Sequence, residues 1–550
     1  MSESCPTGSS CWRGGAGFEP WQVLSGVFAR VFASDKRAAT VPAMIDDYIK
    51  KILTANVYDV AEITPLELAP NLTKRIENRV YLKREDMQPV FSFKLRGAYN
   101  KMSHLSPDAL AKGVIAASAG NHAQGVALAA RRLGARATIV MPCTTPTIKV
   151  NAVAQLGARV ILQGDNYDQA YAHAMRLVSE RGYSFIHPYD DPDVIAGQGT
   201  VGMEMLQQHS GAIDAVFVPV GGGGLIAGIS LYIKYLHPDI KIIGVEPVDT
   251  PSMYEALEAG RRIRLSRVGL FADGVAVSQV GKETFRLAQQ CVDEVVLVTT
   301  DEICAAVRDI YEDTRSIAEP AGALALAGLK RYAADNSLQD AALIAVVSGA
   351  NMNFDQLRYV AERTELGERR EALFAVTIKE RPGSFRKFCR DIGRRDITEF
   401  NYRYSDPKSA HVFAGVRLHK GDDERHLLVR RLRDKGYEVT DLTDNELAKL
   451  HVRFLVGGRA PELQNEVVYR FEFPQQPGAL LQFLQGIGQR WNITMFHYRN
   501  HVADYGRVLM GLQVPPAERE ACRASLDALG LDYHDESSNP AYGYFLGGGG

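Results

Sequence analysis

Three stretches of this chain carry residue types that could do chemistry together. The first is Val90-Phe91-Ser92-Phe93-Lys94-Leu95-Arg96-Gly97-Ala98, where one lysine sits between an aromatic ring and a leucine, at the head of the helix-like run LRGAYNKM. An amine drawn partly out of water has its pKa lowered toward the nucleophilic form, which a lysine that bonds a carbonyl carbon requires. Taken alone, the stretch suits a surface lysine with its stem along apolar neighbours better. The second is Ser118-Ala119-Gly120-Asn121-His122-Ala123-Gln124-Gly125, between the apolar run VIAA and the helix-like VALAARRLG. A turn of small residues at a helix start aims several backbone amides at one point, a ready seat for a carboxylate. The third is Gly221-Gly222-Gly223-Gly224-Leu225, between AVFVPV and LIAGISLYIKY. Its amides and the helix dipole can hold a phosphate. No Lys or Arg stands between Gly211 and Ile233, so an anion there would rest on backbone amides.

The glycine run also fits a dinucleotide fingerprint, Gly222-x-Gly224-x-x-Ala227, with Glu246 at the next strand end. That reading leaves Lys94 and the 118–125 turn without a role. A P-loop is excluded because no Gly-Lys-Ser/Thr follows. His122, at a helix start, is expected to cap or pack rather than act as a base, and Glu246 to line the site or serve structure. Asp273-Gly274-Val275 is either a pocket loop or a simple turn. No His, Asp or Glu cluster has metal-ligand spacing, so no metal is expected.

The elements that must position these residues are legible from about Asp46 to Leu366. VYLKRE, GVIAAS, ATIVMP, ARVILQG, AVFVPVG, KIIGVEP, EVVLVT and ALIAVVSG are β-branched, nearly continuous apolar runs. Such runs are strands buried on both faces of a parallel sheet. ALAKG, QGVALAARRLG, YDQAYAHAMRLVSERG and DEICAAVRDIYEDT read as helices between them, which makes the region α/β. Ser118, Gly221 and Ser348 each follow a strand candidate, and sites in open α/β sheets collect at the carboxyl ends of strands.

After Leu366 the chain repeats itself. LFAVTIKERPGSFRKFCRDIG…ITEFNYRY resembles VYRFEFPQQPGALLQFLQGIG…ITMFHYRN. Gly383 to Gly478 and Gly393 to Gly488 share one interval; Phe400 to Phe496 and Gly415 to Gly511 share an interval one residue longer. Strand, Pro-Gly turn, helix, strand, hairpin, strand, helix is the ferredoxin-like order. The expected division is therefore an N-terminal extension at 1–43, a catalytic α/β domain at 44–366, and two α+β modules at 371–450 and 466–546.

With 550 residues, several domains are expected. Lys and Arg number 63 against 65 Asp and Glu, so no basic field gathers nucleic acid or an anionic membrane, and no apolar run is long enough to span a bilayer. Cys5, Cys11, Cys143, Cys291, Cys304, Cys389 and Cys522 are scattered, with no C-x-x-C, as in a reduced cytosolic protein. Residues 1–43 lack the basic start and continuous apolar core of a secretory signal, and are expected to be a disordered extension or an upstream start. Gly547 to Gly550 read as a tail.

SFKLRGA, SAGNHAQG, PVGGGGL and VSGAN (Val347 to Asn351) occur in the order found in the threonine and serine dehydratases, and together they resemble that tryptophan-synthase-β-like class of pyridoxal-phosphate enzymes. The duplicated tail is similar to the paired ACT-like regulatory modules of the biosynthetic threonine dehydratases. The resemblance implies the two-subdomain fold of that class (fold type II), with two ferredoxin-like regulatory domains behind it. It implies Lys94 as the Schiff-base lysine and the base for Cα, and Asn121 as partner of the cofactor's ring hydroxyl. Gly221, Gly222, Gly223, Gly224 and Leu225 would cradle the cofactor phosphate, and Ser348 would face the pyridine nitrogen. Ser118, Ala119, Gly120, Asn121 and His122 would seat the substrate carboxylate. A hydroxyl at the ring nitrogen only donates a hydrogen bond, leaving the ring neutral, which favours β-elimination over transamination. The implied reaction takes L-threonine, and L-serine beside it, through loss of water to an oxo acid and ammonia, as the entry step of isoleucine synthesis. The cofactor phosphate would help the β-hydroxyl leave. Isoleucine as inhibitor and valine as activator would act through the tail, at Phe400, Asn401, Tyr402, Phe496, His497 and Tyr498. A cytoplasmic homotetramer is the implied assembly.

Overall fold

The computed structural model describes residues 43–367 except 270 and 355, and then 370–393, 395–404, 408–445, 448, 452–454, 460, 463–474, 479–487, 490–499, 505–539, 542 and 546. The expected extension before residue 43, the glycine tail, Gly478 and Gly488 lie outside the described residues. In chain order the strands of the first region are β1 (Leu66–Leu68), β2 (Arg79–Arg84), β3 (Val114–Ala117), β4 (Ala137–Met141), β5 (Arg159–Leu162), β6 (Ser184–Phe185), β7 (Ala215–Pro219), β8 (Lys241–Pro247), β9 (Glu294–Val298) and β10 (Ala342–Val347). They form two sheets. The larger runs β1-β2-β10-β7-β8-β9 and the smaller β5-β4-β3-β6. All pairings are parallel except that of β1 with β2. The central runs VIAA, ATIVM, AVFVP and ALIAVV are buried along their whole length, because helices cover both faces. All eight strand candidates are strands; β1 and β6, too short to show a period, were not among them.

Glycines set how closely the helices around Lys94 approach. Helix Lys94–Ser103 lies against helix Asn121–Leu133 and helix Pro192–Gln208. A Cβ at Gly125 would stand 3.0 Å from the Leu95 nitrogen, one at Gly97 would stand 2.7 Å from the Val194 oxygen, and one at Gly197 would stand 2.8 Å from the Arg96 oxygen. The motif glycines of SFKLRGA and SAGNHAQG are thus contact points between helix backbones. Behind them Arg96 is fully buried and bonds Glu85 at 2.8 Å and Glu204 at 2.6 Å, while Lys83 reaches Glu204 at 2.6 Å. Two carboxylates face two cations with no exposure on any of the four side chains. A buried charge is tolerable only when it is paired and hydrogen-bonded.

The C-terminal strands are β11 (Glu371–Lys379), β12 (Ile397–Arg403), β13 (Ser409–Arg417), β14 (Glu438–Asp441), β15 (Glu466–Pro474), β16 (Asn492–Arg499), β17 (Tyr505–Gln513) and β18 (Asp532–Asp535). Helices Ser384–Ile392 and Gly421–Asp434 follow β11 and β13; Ala479–Ile487 and Arg519–Asp527 follow β15 and β17. Each module has the ferredoxin-like order, and the two join through β12 and β16 into one sheet, β14-β11-β13-β12-β16-β17-β15-β18. At the seam Phe400 pairs with Tyr498 and Tyr402 with Phe496, around Asn401 and His497. The repeat equates Phe400 with Phe496 and Tyr402 with Tyr498, so the seam has a local two-fold centred on Asn401 and His497.

The repeated glycines have a steric reason. A Cβ on Gly511 would stand 2.7 Å from both Glu466 Oε1 and Thr494 Oγ1, which bond each other. Gly415 makes the same room for the Thr398–Glu371 hydrogen bond. No helix among the described residues is long and apolar enough to cross a membrane.

Candidate active site

Lys94 is the first residue of its helix, and the strand end of β10 holds the segment before it. The Phe93 amide donates to the Ser348 oxygen at 3.3 Å, Ser92 bridges Gly349, and the Ala350 amide donates to the Phe91 oxygen at 2.9 Å. Phe91 takes a left-handed φ of 53° to make this turn. Lys94 keeps partial exposure, but its amine lies deep among protein atoms and donates to the Pro188 oxygen at 3.0 Å. Burial lowers its pKa to about 8, with the charge of Glu319 pulling the other way. Desolvation penalises the ammonium, so the unprotonated amine becomes a substantial fraction as pH approaches 8.

The 118–122 turn leaves the carboxyl end of β3. Ser118, Ala119, Gly120 and Asn121 are partly exposed, and a Cβ on Gly120 would meet nothing within 4 Å, so the turn fronts open space. His122 is buried, with Nε2 2.8 Å from the Ile186 oxygen. Burial, and then Lys94, push its pKa down to about 3, so its ring is a neutral packing group.

The glycine loop leaves β7 and opens helix Gly224–Leu236. Gly223 has φ 93°, and side chains at Gly222 and Gly224 would collide with Tyr189. The Gly222 carbonyl is held by Thr284 Oγ1 at 2.6 Å. The amides of Gly222, Gly223, Gly224 and Leu225 find no acceptor among the described residues. Turn Asp273–Val275 spans from this loop to Asn121: a Cβ on Gly221 would stand 3.0 Å from Val275 Cα, and one on Gly274 would stand 4.0 Å from Asn121 Nδ2.

Ser348 is buried at the end of β10, with its hydroxyl 3.3 Å from the Ala321 oxygen. Glu246 is a structural cap, accepting from Ser252 Oγ and the Met253 and Tyr254 amides, and so is not free to hold a ribose.

Two residues at the site had no role assigned from the sequence: Glu319, and Asn351, which entered only as the last residue of VSGAN. Glu319 is 4% exposed and accepts from Asn121 Nδ2 at 2.6 Å. Burial, helped by the charge of Asp273, raises its pKa to about 7. Asn351 Nδ2 donates to Asn121 Oδ1 and to the Val90 oxygen, both at 2.8 Å. The available signal for Glu319 was a lone carboxylate in the small, apolar run IAEPAGALAL, where charge is out of place.

In the tail, the rings of Phe400, Tyr402, Phe496 and Tyr498 all belong to the core beneath the helices. Phe385 meets Tyr402 edge-on with ring centroids 4.9 Å apart, and Phe400 lies 5.6 Å from Phe496. Asn401 alternates to the other face, where its Nδ2 reaches the Arg453 oxygen at 2.9 Å and Arg453 in turn bonds Glu399 and Glu371. His497 opposes Asn401 at the centre of the seam. The six residues therefore meet at one seam but divide between its two faces.

The residues around Lys94 fit pyridoxal phosphate. A buried amine of lowered pKa suits a bond to its carbonyl carbon, the glycine loop leaves free amides beside a helix start, and the buried Ser92 hydroxyl has no partner among the described residues. The family described as "Pyridoxal-phosphate dependent enzyme" matches residues 57–349, and the "C-terminal regulatory domain of Threonine dehydratase" matches twice, at 362–452 and 457–546. The chain is 56% identical to the biosynthetic L-threonine dehydratase IlvA of Burkholderia multivorans over 91% of this chain and 99% of that protein. It is 53% identical to the enzyme of the same name from Escherichia coli, over 91% of this chain and 97% of that one. The processed form of threonine deaminase isoform 2 from Solanum lycopersicum superposes with a TM-score of 0.58 at 51% identity, covering 59% of this chain and 94% of that one. By the extent of these matches the chain belongs to the biosynthetic threonine dehydratases, pyridoxal-phosphate enzymes with a duplicated C-terminal regulatory domain.

Proposed function

We propose that this chain deaminates L-threonine to 2-oxobutanoate and ammonia, accepts L-serine as a second substrate, and is braked by isoleucine and released by valine through its C-terminal modules. In this reading it is a cytoplasmic homotetramer, with a catalytic domain at 44–366 and regulatory modules at 371–450 and 466–546.

The observation that carries the reading is the buried Lys94 amine, of lowered pKa, bonded to the Pro188 oxygen and within electrostatic reach of His122 and Glu319. Lys94 holds the cofactor through its amine and, once released, takes the substrate's Cα proton. Bound pyridoxal phosphate supplies the sink for the electron pair that this proton leaves behind. The 118–122 turn orients the substrate carboxylate through its remaining amides, since the Ser118 amide donates to the Val140 oxygen and the Gly120 amide to Ser118 Oγ, and the amides of 221–225 hold the cofactor phosphate. Asn121 donates to the ring hydroxyl oxygen, and Ser348, its hydroxyl hydrogen turned from the Ala321 oxygen, donates to the ring nitrogen without protonating it. The β-hydroxyl would depart as water with a proton supplied at the cofactor phosphate, and hydrolysis of the released enamine gives 2-oxobutanoate and ammonia.

Feedback needs isoleucine to bind one global state better than another, since equal affinity shifts nothing. The seam residues Phe400, Asn401, Tyr402, Phe496, His497 and Tyr498 are where we place that contact, with Asn401 and His497 as its polar members. The test is release of 2-oxobutanoate from threonine, with and without isoleucine. No release would overturn the catalytic reading, and release indifferent to isoleucine would overturn the regulatory one.

A further inference from the structure

Asn121 does not stand alone. The Val90 backbone oxygen can only accept, and it takes one hydrogen from Asn351 Nδ2 at 2.8 Å. The other Asn351 hydrogen goes to Asn121 Oδ1, also at 2.8 Å. That fixes which end of the Asn121 amide is oxygen, and its Nδ2 then points to Glu319 Oε1 at 2.6 Å. Turning the Asn121 amide over would set amide nitrogen against amide nitrogen at Asn351, losing that bond in every state, and would lose the Glu319 bond whenever its carboxyl is ionised. Asn121 Nδ2 has two hydrogens, and Glu319 occupies one. Room for the Glu319 carboxyl comes from two motif glycines: a Cβ on Gly349 would stand 2.6 Å from Oε1 and one on Gly274 would stand 3.5 Å from it.

We propose that Glu319 is a positioning residue of the cofactor site: with Asn351 it locks the Asn121 amide so that its second Nδ2 hydrogen donates to the ring hydroxyl oxygen of bound pyridoxal phosphate. The proposal rests on the reading of Asn121 given above. Glu319 acts through Asn121 and is not itself a catalytic residue.

The surroundings make this lock sensitive to protons. The charged groups facing Glu319 are Asp273 from the turn before Gly274, Lys149 from helix Thr147–Gln155, which is paired with Asp273, and Lys94 from its own helix. The Asn121 side chain and the Asn351 amide both donate to Glu319 and favour its ionised form, whereas burial opposes it. Glu319 titrates near neutrality, so the strength of its bond to Asn121, and with it the donation to the ring oxygen, changes across the working pH range.

The test uses full-length protein with four substitutions, Glu319→Gln, Glu319→Ala, Asn351→Ala and Asn121→Ala. The readouts are the visible absorption of the bound cofactor from pH 6 to 9 and the equilibrium affinity of cofactor-free protein for pyridoxal phosphate. Glu319→Ala should weaken cofactor binding about tenfold and alter the spectrum, and Asn351→Ala should alter it in the same direction. Glu319→Gln, which can still accept from Asn121, should restore affinity to within about threefold while abolishing the spectral change centred near neutrality. Should Glu319→Ala fail to fold, Asn351→Ala, which leaves no buried charge unpaired, still decides the matter. Wild-type spectra and affinities in the Glu319 and Asn351 variants, with Asn121→Ala altered, would overturn the proposal and leave the reading of Asn121 standing. A wild-type spectrum in Asn121→Ala would overturn that reading and the proposal with it.

Discussion

The Lys94 amine donates to the backbone oxygen of Pro188 across 3.0 Å, bridging 94 residues of chain. One hydrogen bond offsets only part of the cost of burying an ammonium, so the neutral amine is unusually accessible near physiological pH. Reconstitution of cofactor-free protein with pyridoxal phosphate should therefore speed up as pH rises through about 8, the pKa of this amine. The neutral form attacks, so the sign is an increase with pH. Stopped-flow absorbance would show it, and Lys94→Ala should neither form the covalent adduct nor turn over threonine. A reconstitution midpoint near the ordinary lysine value would contradict the geometry.

Ser348 offers the ring nitrogen a hydroxyl too weak to protonate it. Ser348→Asp places a carboxylate there, and elimination should slow at least tenfold, about 1.4 kcal/mol in the barrier, with side products rising. Product analysis by chromatography reads both effects. Unchanged elimination would leave the serine without an electronic role.

Arg96 is the hub of the fully buried charge cluster. Arg96→Met removes the shared partner of Glu85 and Glu204 and leaves Lys83 as the remaining cation of the four. Breaking such a pair costs about 3–5 kcal/mol, so denaturant midpoints should fall sharply. Gly97→Ala should act on the same helix by a different route. Its new methyl would stand 2.7 Å from the Val194 oxygen, forcing the helices apart at a cost of about 1–3 kcal/mol. Turnover should fall with it, because Lys94 rides on the displaced helix.

At the seam, Tyr498→Ala would remove a ring that is 1% exposed and so would open a cavity worth about 3–5 kcal/mol. Asn401→Ala probes the polar face without that loss of core. The isoleucine concentration for half-inhibition should rise severalfold in Asn401→Ala, measured on the full-length enzyme. An unaltered isoleucine response in both variants would place the effector elsewhere.

The strands of the catalytic region were legible because burial on both faces makes them continuous apolar runs, as in ALIAVV and AVFVP. The motif glycines were legible as signals but not as causes. That Gly97 and Gly125 exist to bring helix backbones together needed three helices that sequence alone does not assemble. Glu319 was hidden for the same reason, since its partner Asn121 lies 198 residues away. The seam aromatics suggest an effector contact because an aromatic ring can pack a branched side chain beside polar groups, but residue type does not say which face is wet. Packing beneath two helices decides that for Phe400 and Tyr402, and only their neighbour Asn401 reaches the opposite face.

The pairing of β12 with β16 has a further meaning. In each module that strand would be the rim of a four-stranded sheet, a row of backbone donors and acceptors open to any passing strand. Here the two rims seal each other. A chain with one module would have to cover that edge in another way, and a strand from a second molecule would be one answer where internal duplication is another. By carrying both halves, this chain settles within itself a contact that would otherwise depend on concentration.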